Sequence, residues 1–506
     1  MTRTGYALKA LELLQTTSGA LLKALEPLQT TSGALLKALE PLQTTSGVLL
    51  KALEPLQTSS GALCGDHMTG RASLKCVLIF IAIKKGRKIK KCSRKSGYLT
   101  NFVARKQTTD SHMRRRLLCS MMLALCALSV QAAESGACVL VSNPSNNQRQ
   151  EIIEADLALI YQLLGIGHDK PFTVKNAFGQ EMTYQKTYDG KLLLDVSVQP
   201  HSQVSFTIAK GEPSVFKSYV KGKVYPERAD DITWENDRGI YRVYGPALQR
   251  SGERSFGIDV WVKNTPELVV EERYRNHMWG VGQRDSLKRA GKLREANEIY
   301  VATSFHHDHG YGLDCYGVGA SLGCGAPALM KDGQLVFPWC YKEYKILDNG
   351  PLRFTVELTY NTSHDGITEH RIISLDKGSH FNRMTVWYDG ISQPTTLTTG
   401  IVLHDNDNLL FGKNYVLYAD PTDNPQVHQT QIYVGILFPN GIDETLRLEG
   451  DLPHAIGILR HYSGGAYTYY FGSAWSKYDI LTLAQWQLAA DDFLHHLSNP
   501  LKIELK

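Results

Sequence analysis

The sequence predicts an all-β protein in which a small N-terminal β-sandwich is followed by a large antiparallel β-sandwich. Runs of alternating apolar and polar residues recur along the chain, as expected for half-buried strands. Turn residues separate these runs, and Asp189-Gly190, between residues 183–188 and 191–198, is a hairpin signal. Few segments show the apolar spacing of a long helix. Together these observations favour stacked antiparallel sheets.

The elements are assigned in order along the chain. A short segment around residues 151–164 has helical spacing, and the hairpin follows it. Residues 210–213 are the best linker candidate, so we predict a small sandwich domain at residues 133–213 and the large sandwich at residues 214–506. Further strands are predicted at residues 204–208, 241–244, 257–262, 352–360, 370–375, 381–388 and 467–471.

The first 132 residues are excluded from this fold. Met113 opens a basic head that is followed by the apolar run 117–130 and by Ala132, the pattern of a secretory signal peptide at residues 113–132. Upstream, nearly identical copies of a fourteen-residue unit are marked by glycines such as Gly19, Gly33 and Gly47. Helical repeats that fold together diverge, so we interpret residues 1–112 as a disordered, mistranslated upstream region. The working protein is expected to be periplasmic or secreted.

The charge of the expected mature chain excludes some classes of partner. Residues 133–506 hold 35 Lys and Arg against 44 Asp and Glu, because 20 basic but only 6 acidic residues lie upstream. This acidic balance argues against nucleic acid and against an anionic membrane as partners. No membrane span is expected after signal cleavage. Four cysteines remain, and disulfides among Cys315, Cys324 and Cys340 are one option, with the connectivity open.

Three stretches of the large sandwich are unusually polar. The first begins at Trp234 and Asn236 and continues through Arg242 and Tyr244. The second spans residues 305–310 and contains three histidines; if it is extended, His307 and His309 share one face, and His306 and Asp308 the other. The third contains Tyr344 and Arg353. A carboxylate beside an imidazole fixes its tautomer and raises its basicity, so these stretches are candidates for acid and base chemistry.

From about Cys138 to the C-terminus, the chain resembles the secreted family catalogued as domain of unknown function 4861. The match is carried by Trp234-Glu235-Asn236-Asp237, Tyr244-Gly245-Pro246-Ala247-Leu248, Asp308-His309-Gly310, Gly312-Leu313-Asp314 and Asp348-Asn349-Gly350-Pro351-Leu352-Arg353. The resemblance implies a galactose-mutarotase-like super-sandwich and a place in polysaccharide utilisation, where some related proteins are thought to act as dehydratases. Tyr311 departs from the acidic residue expected in the family motif.

The implied chemistry is a lyase or dehydratase reaction on uronic-acid-containing oligosaccharides. Proton abstraction alpha to a carboxylate needs a base, a group for the carboxylate and an acid for the departing oxygen. We expect His306 or His309 as the base, oriented by Asp308, and Tyr344 as the acid. The expected substrate-binding residues are Trp234, Asn236, Arg242, Tyr244, Arg353 and His404.

Three alternatives stay open from the sequence. His306, Asp308, His309 and His404 are ligand types that suit a divalent metal. The same cleft is compatible with a non-catalytic glycan-binding protein. A sugar mutarotase or epimerase is the third alternative, and it depends on fold resemblance alone.

Overall fold

The described chain folds into antiparallel sheets, and buried and exposed residues alternate along many of the strands. The computed structural model describes residues 136–337, 339–405, 408–423 and 429–506. These lie in one compact unit, residues 125–506. The predicted upstream region 1–112 and signal peptide 113–132 lie outside the described residues. The all-β prediction, with a small sandwich preceding a large antiparallel one, is confirmed.

The small sandwich consists of a four-stranded and a three-stranded sheet. Their orders are β25-β1-β6-β3 and β2-β5-β4. Its own core includes buried Val139, Phe172 and Leu194. The bounds are β1 (Ala137–Asn143), β2 (Arg149–Asp156), helix α1 (Leu157–Leu164), β3 (Phe172–Asn176), β4 (Tyr184–Lys186), β5 (Lys191–Val198), β6 (Ser202–Lys210) and β25 (Lys502–Leu505).

The C-terminal strand corrects the predicted domain bounds. β25 pairs with β1, with Val139 opposite Leu505 and Val141 opposite Ile503. Leu501, just before this strand, is buried in the small-sandwich core. The end of the chain was assigned to the large sandwich because sequence position alone cannot show that a strand returns to an earlier sheet. The small sandwich is therefore closed by both ends of the described chain.

The large sandwich has one broad eight-stranded sheet, ordered β14-β15-β16-β17-β24-β21-β20-β19. We call it sheet F. Several strands predicted from the sequence lie here. The bounds are β14 (Tyr341–Asn349), β15 (Arg353–Tyr360), β16 (Thr368–Asp376), β17 (Phe381–Asp389), β19 (Leu409–Phe411), β20 (Tyr415–Asp420), β21 (Ile432–Leu437) and β24 (Tyr467–Trp475).

The opposing layer consists of two five-stranded sheets, ordered β11-β10-β9-β8-β7 and β13-β12-β18-β23-β22. We call the first of them sheet C. A bridge between Ile258 and Gly323 connects the two. The bounds are β7 (Lys221–Tyr225), β8 (Asp231–Glu235), β9 (Ile240–Val243), β10 (Asp259–Val262), β11 (Leu313–Asp314), β12 (Cys324–Lys331), β13 (Gln334–Val336), β18 (Thr395–Val402), β22 (Glu444–Leu448) and β23 (His454–Tyr462).

Helices cover the two outer faces of the large sandwich. Tyr274 of α3 packs on sheet C with Trp261, and Trp486 of α5 packs on sheet F with Leu417. The helices after α1 are α2 (Pro246–Ser251), α3 (Val270–Arg289), α4 (Leu293–Thr303) and α5 (Leu483–Ser498), with 3₁₀ turns at Pro226–Arg228 and Pro421–Asp423. No helix in the described ranges is long and apolar enough to cross a membrane.

The main core lies between sheet F and the opposing layer, and it contains two of the cysteines considered for disulfides. Cys324 donates to the carbonyl of Gly472 at 3.5 Å, and Cys340 to the carbonyl of Ser255 at 4.0 Å. Burial raises the pKa of the Cys340 thiol to about 12. Both side chains are thiols in the structure, which corrects the disulfide option for these two.

Candidate functional site

The outer face of sheet C carries charged side chains because its strands alternate. Ile232, Tyr241 and Val260 point into the main core. Their neighbours Asp231, Arg242 and Asp259 therefore lie on the opposite face. Antiparallel pairing places Arg242 directly opposite Asp259.

These residues, with Asp314 and Tyr244, form what we call the Arg242 cluster. Arg242 Nη2 bonds Asp259 and lies 3.2 Å from Asp314 Oδ2 and 3.4 Å from the Tyr244 hydroxyl. Arg242 Nη1 is 3.5 Å from Asp231 Oδ2. All five side chains are buried. One guanidinium thus faces three carboxyl groups inside the protein.

This excess of buried acid shifts the titration of the cluster. Burial raises the pKa of Asp231 to about 6 and that of Asp259 to about 7, although the charge of Arg242 opposes both shifts. Burial also raises the pKa of Tyr244 well above its ordinary value. Groups that titrate near neutrality are suited to proton transfer. The Arg242 cluster is therefore a candidate acid–base centre.

Helix α3 and the segment after α4 cover part of the cluster on the outer face of sheet C. The Tyr274 hydroxyl lies 2.7 Å from Thr233 Oγ1 and 3.3 Å from Asp231 Oδ2. The His277 ring stacks on Phe305 with centroids 3.8 Å apart. Burial lowers the pKa of His277 to about 4, so its ring is neutral at physiological pH. The cluster is shielded from solvent on this side.

His306 lies at the open edge of the cluster. Its Nδ1 is 2.9 Å from the backbone carbonyl of Asp314 and 3.6 Å from Asp314 Oδ2. A carbonyl oxygen only accepts, so the hydrogen bond places the proton on Nδ1 and leaves the Nε2 lone pair free. The side chain is 46% exposed. His306 Nε2 is thus a candidate proton acceptor on an exposed ring.

The segment 305–310 forms a turn, not the extended strand considered from the sequence. Asp308 Oδ1 accepts from the Gly310 and Gly312 amides at 2.8 and 3.0 Å, and its other oxygen bonds Lys477. These bonds hold the pKa of Asp308 below its usual value, although burial alone would raise it. The Asp308 carboxylate is engaged by the turn, and the residue that contacts His306 is Asp314. This corrects the predicted orienting role of Asp308.

His309 and His404 occupy separate positions. His309 Nε2 bonds the Ser304 carbonyl at 2.9 Å. His404 Nδ1 lies 2.6 Å from Asp420 Oδ2, and the His404 ring packs edge-on against Tyr316 at 5.6 Å. Burial lowers the pKa of His404, but the hydrogen bond and charge of Asp420 outweigh it, and the net pKa is raised. His404 and Asp420 therefore form a hydrogen-bonded pair.

The predicted metal ligands do not converge in the structure. Within the described ranges, no group of three or more His, Cys, Asp or Glu side chains is arranged to hold a metal ion. Asp308 is engaged with Lys477, His306 with Asp314, and His404 with Asp420. The set His306, Asp308, His309 and His404 thus does not form a metal centre.

Trp234 and Asn236, two of the remaining predicted site residues, lie inside the protein. Trp234 is fully buried between Tyr241 and Phe354 and donates to Asn382 Oδ1 at 2.8 Å, so neither face of the indole can stack on a sugar. Asn236 is also fully buried, and its amide bonds backbone carbonyls at 2.6 and 2.7 Å. These two positions have structural roles, which corrects their assignment to substrate binding.

Arg353 and Tyr344 make no direct contact with the Arg242 cluster among the residues that the structure describes. Arg353 pairs with Asp376 of β16 and, at 2.7 Å, with Glu154 of β2, so it links the two sandwiches. Tyr344 is 48% exposed on β14, and its ring contacts Tyr341 with centroids 5.8 Å apart. No contact in the described part of the chain joins Tyr344 to a histidine of the turn. Its predicted role as the acid stays a prediction.

Several cluster residues were missed from the sequence. Asp231 and Asp259 were not singled out, and Asp314 appeared only within a family motif. A signal existed for Asp259: in the predicted strand 257–262 it alternates with apolar Ile258 and Val260. A polar residue at such a position faces away from the main core, but only the strand register places it opposite Arg242.

One relative and two solved structures are similar to parts of this chain. Uncharacterized protein P7 from Formosa agariphila is 25% identical over 339 residues, covering 62% of this chain and 78% of the relative. A glycosyl hydrolase family 38 protein from Enterococcus faecalis has a TM-score of 0.40 at 10% identity, covering 74% of this chain and 48% of that structure. An alpha-mannosidase from the same organism has a TM-score of 0.37 at 10% identity, covering 74% and 46%. The chain spans about half the length of these two structures.

A family model matches most of the chain and agrees with the resemblance indicated by the sequence motifs. The model of the domain of unknown function DUF4861 matches residues 141–503. This range covers the whole Arg242 cluster and all of both sandwiches except the first residues of β1 and the last of β25. The chain therefore belongs to the DUF4861 family.

Proposed function

We propose that the protein is an exported carbohydrate-active enzyme, a lyase or dehydratase that acts on uronic-acid-containing oligosaccharides. The observation that carries the proposal is His306, whose Nε2 lone pair lies on an exposed ring at the edge of a buried acid cluster. Such a base abstracts the proton alpha to the uronate carboxylate. Family membership supports the choice of a carbohydrate, since the resemblance stated from the motifs concerns polysaccharide utilisation.

The proposed reaction is a β-elimination. His306 Nε2 takes the proton, the C–H electron pair becomes the new C=C bond, and the C–O bond to the leaving group breaks. Asp314 Oδ2, 3.6 Å from Nδ1, stabilises the imidazolium that forms. The leaving oxygen takes a proton and departs as water in a dehydratase or as a sugar hydroxyl in a lyase.

The Tyr244 hydroxyl is a second candidate for the acid, beside the predicted Tyr344. Tyr244 lies 3.4 Å from Arg242 Nη2, which also bonds Asp314, so it is linked to the base through two side chains. Arg242 itself is surrounded by three carboxyl groups. Since its charge is already balanced, we assign it to holding Asp259 and Asp314 rather than to binding a uronate directly.

The test is turnover of a panel of uronic-acid oligosaccharides, with and without chelator, followed by ultraviolet absorbance and product mass. A new conjugated double bond with loss of water identifies a dehydratase, and one with chain cleavage identifies a lyase. His306→Gln is expected to lower kcat by about 10² or more, the usual contribution of a general base. His307→Gln is the matched control, because His307 is exposed in the same turn and contacts Tyr300.

Three results would contradict the proposal. Equal turnover in His306→Gln and the wild type would remove His306 as the base. Saccharide binding without any new product would favour a glycan-binding protein, and a change in optical rotation of free sugars would favour a mutarotase or epimerase. Loss of activity with chelator would show that a metal takes part.

A further inference from the structure

A cleft lies on the opposite side of the large sandwich from His306. It has a volume of about 700 Å³ and is bounded by β2 of the small sandwich, the outer face of sheet F and helix α5. Met384 and Val386 of β17 point into the main core, so Arg383, which directly precedes Met384, points out of it. The Arg242 cluster lies on the outer face of sheet C. The two sites are therefore separated by the full thickness of the sandwich.

Aromatic rings form part of the cleft wall. Phe381 and Tyr470 come from neighbouring strands, and Phe493 comes from α5. The Phe493 ring lies 4.9 Å from Phe381 and 5.0 Å from Tyr470 between centroids. Aromatic rings that combine an apolar face with a polar rim suit the C–H faces and hydroxyls of sugars.

Most charged side chains of the cleft are already paired. Arg353 pairs with Glu154 and Asp376, and Lys377 pairs with Asp195. Glu151 pairs with Arg149 at 2.8 Å, and Asp237 accepts from the Gly378 amide at 2.6 Å. These pairs neutralise much of the charge within the cleft.

Arg383 is different. It lies opposite Tyr470 on β24 and Ser374 on β16, and it lines the cleft. Across the described ranges it makes no ion pair and no hydrogen bond. Asp492, on the α5 side of the cleft, is likewise without a hydrogen-bond or ion-pair partner among those residues. The cleft thus presents one unpaired cation and one unpaired anion beside an aromatic wall.

The same face continues along β17 beyond the cleft. Thr385 and Trp387 follow Arg383 at alternate positions, and the Trp387 ring stacks on His370 with centroids 5.0 Å apart and an interplanar angle of 7°. Trp387 is only partly buried. At about 3.3 Å per residue, Trp387 lies about 13 Å along the strand from Arg383. Trp387 therefore places a further aromatic ring on the same face of the sheet as Arg383.

We propose that this cleft is a second, non-catalytic binding site for acidic oligosaccharides. Arg383 pairs with a uronate carboxylate of the ligand, Asp492 accepts a sugar hydroxyl, and Tyr470, Phe493 and Trp387 contact sugar rings. The site requires no reaction, so it stands independently of the proposed elimination. A site on the opposite face holds a polymer close to the enzyme without obstructing His306.

The test uses the full chain carrying His306→Gln, which slows substrate turnover, and titrates an unbranched uronic-acid oligosaccharide by calorimetry. Arg383→Met is expected to weaken binding about tenfold or more, the usual effect of losing a charge-assisted hydrogen bond to a carboxylate. The neutral oligosaccharide with esterified carboxyl groups is expected to bind both variants alike. Arg275→Met is the matched control, since Arg275 is an exposed arginine on α3.

Hydrogen–deuterium exchange locates the ligand in the same samples. Protection of Phe381–Asp389 on binding supports the cleft, and loss of that protection in Arg383→Met confirms the cation's role. Protection confined to residues 305–316 would overturn the proposal, as would unchanged affinity in Arg383→Met or the absence of binding. Absence of a reaction product in the wild type would refute the proposed function without affecting this result.

Discussion

Single buried carboxyl groups of the Arg242 cluster make the free energy of unfolding depend on pH. A carboxyl whose pKa is raised by folding binds its proton more tightly in the folded state. For Asp259, the folded pKa is about 7, against about 3.9 in an unfolded chain. Its contribution to the free energy of unfolding therefore falls as the pH rises from about 4 to about 7.

Asp259→Asn is expected to remove the part of the pH-dependent fall in unfolding free energy that Asp259 causes. Burial lowers the pKa of His277 and of His454 to about 4, so these two residues make the free energy of unfolding rise with pH. Both histidines are present in wild type and variant, so their effect cancels in the comparison. The measurement is denaturant unfolding of wild type and variant between pH 4 and 8, with pH 4 as the reference point. Relative to the variant, the wild type should lose stability as the pH rises. A difference between the two that stays flat or has the opposite sign would contradict the assigned pKa shift.

Residue types at the site were partly predictable from the sequence, but their pairing was not. Arg242, Tyr244 and His306 were singled out, and the structure brings them into one connected group through Asp314. Asp308 is adjacent to the histidines in sequence, yet its carboxylate turns towards Gly310 and Gly312. Gly312 has a φ of +107°, and a Cβ there would lie 2.0 Å from the Val262 carbonyl. This tight turn depends on tertiary contact, which local sequence does not report.

At the level of elements, strands were easier to predict than the helices that cover them. The predicted strands 352–360 and 381–388 coincide with Arg353–Tyr360 and Phe381–Asp389, because one face of each is apolar and the other polar. Helix α3 was not indicated, since Val270–Arg289 carries charges around most of its surface and buries Arg273 and His277. A helix that packs on a polar cluster lacks the apolar stripe by which helices are recognised.

Trp486 is the largest buried side chain by which helix α5 packs on sheet F. Trp486 is fully buried, stacks on Phe381 at 4.8 Å, and donates from Nε1 to the Val434 carbonyl at 3.0 Å. Trp486→Ala is expected to lower the free energy of unfolding by about 3–5 kcal/mol. Urea unfolding measures the loss.

Leu488→Ala is the control on the same helix, because Leu488 is 63% exposed. Its effect is expected to stay within about 0.5 kcal/mol. Similar losses in the two variants would contradict the assigned role of Trp486 packing in holding α5 on sheet F.

At the scale of the whole molecule, the two sandwiches are coupled by buried polar contacts. Gln185 of β4 is almost fully buried at the point where β15 begins. Its Oε1 accepts from the amides of Leu352 and Arg353, both at 2.7 Å, and its Nε2 donates to the Arg353 carbonyl at 2.9 Å. One side chain of the small sandwich thus satisfies three backbone groups of the large one.

Gln185→Met tests this coupling, because it keeps the side-chain length and removes the hydrogen bonds. Each backbone group left buried and unpaired costs about 1–3 kcal/mol, so the melting temperature should fall and the sandwiches should unfold less cooperatively. Calorimetry is expected to show a broadened or split transition. Gln150→Met, at an exposed position of β2, is the control and should leave the transition unchanged. A single sharp transition at the wild-type temperature in Gln185→Met would show that Arg353, paired with Glu154 and Asp376, is sufficient to couple the sandwiches.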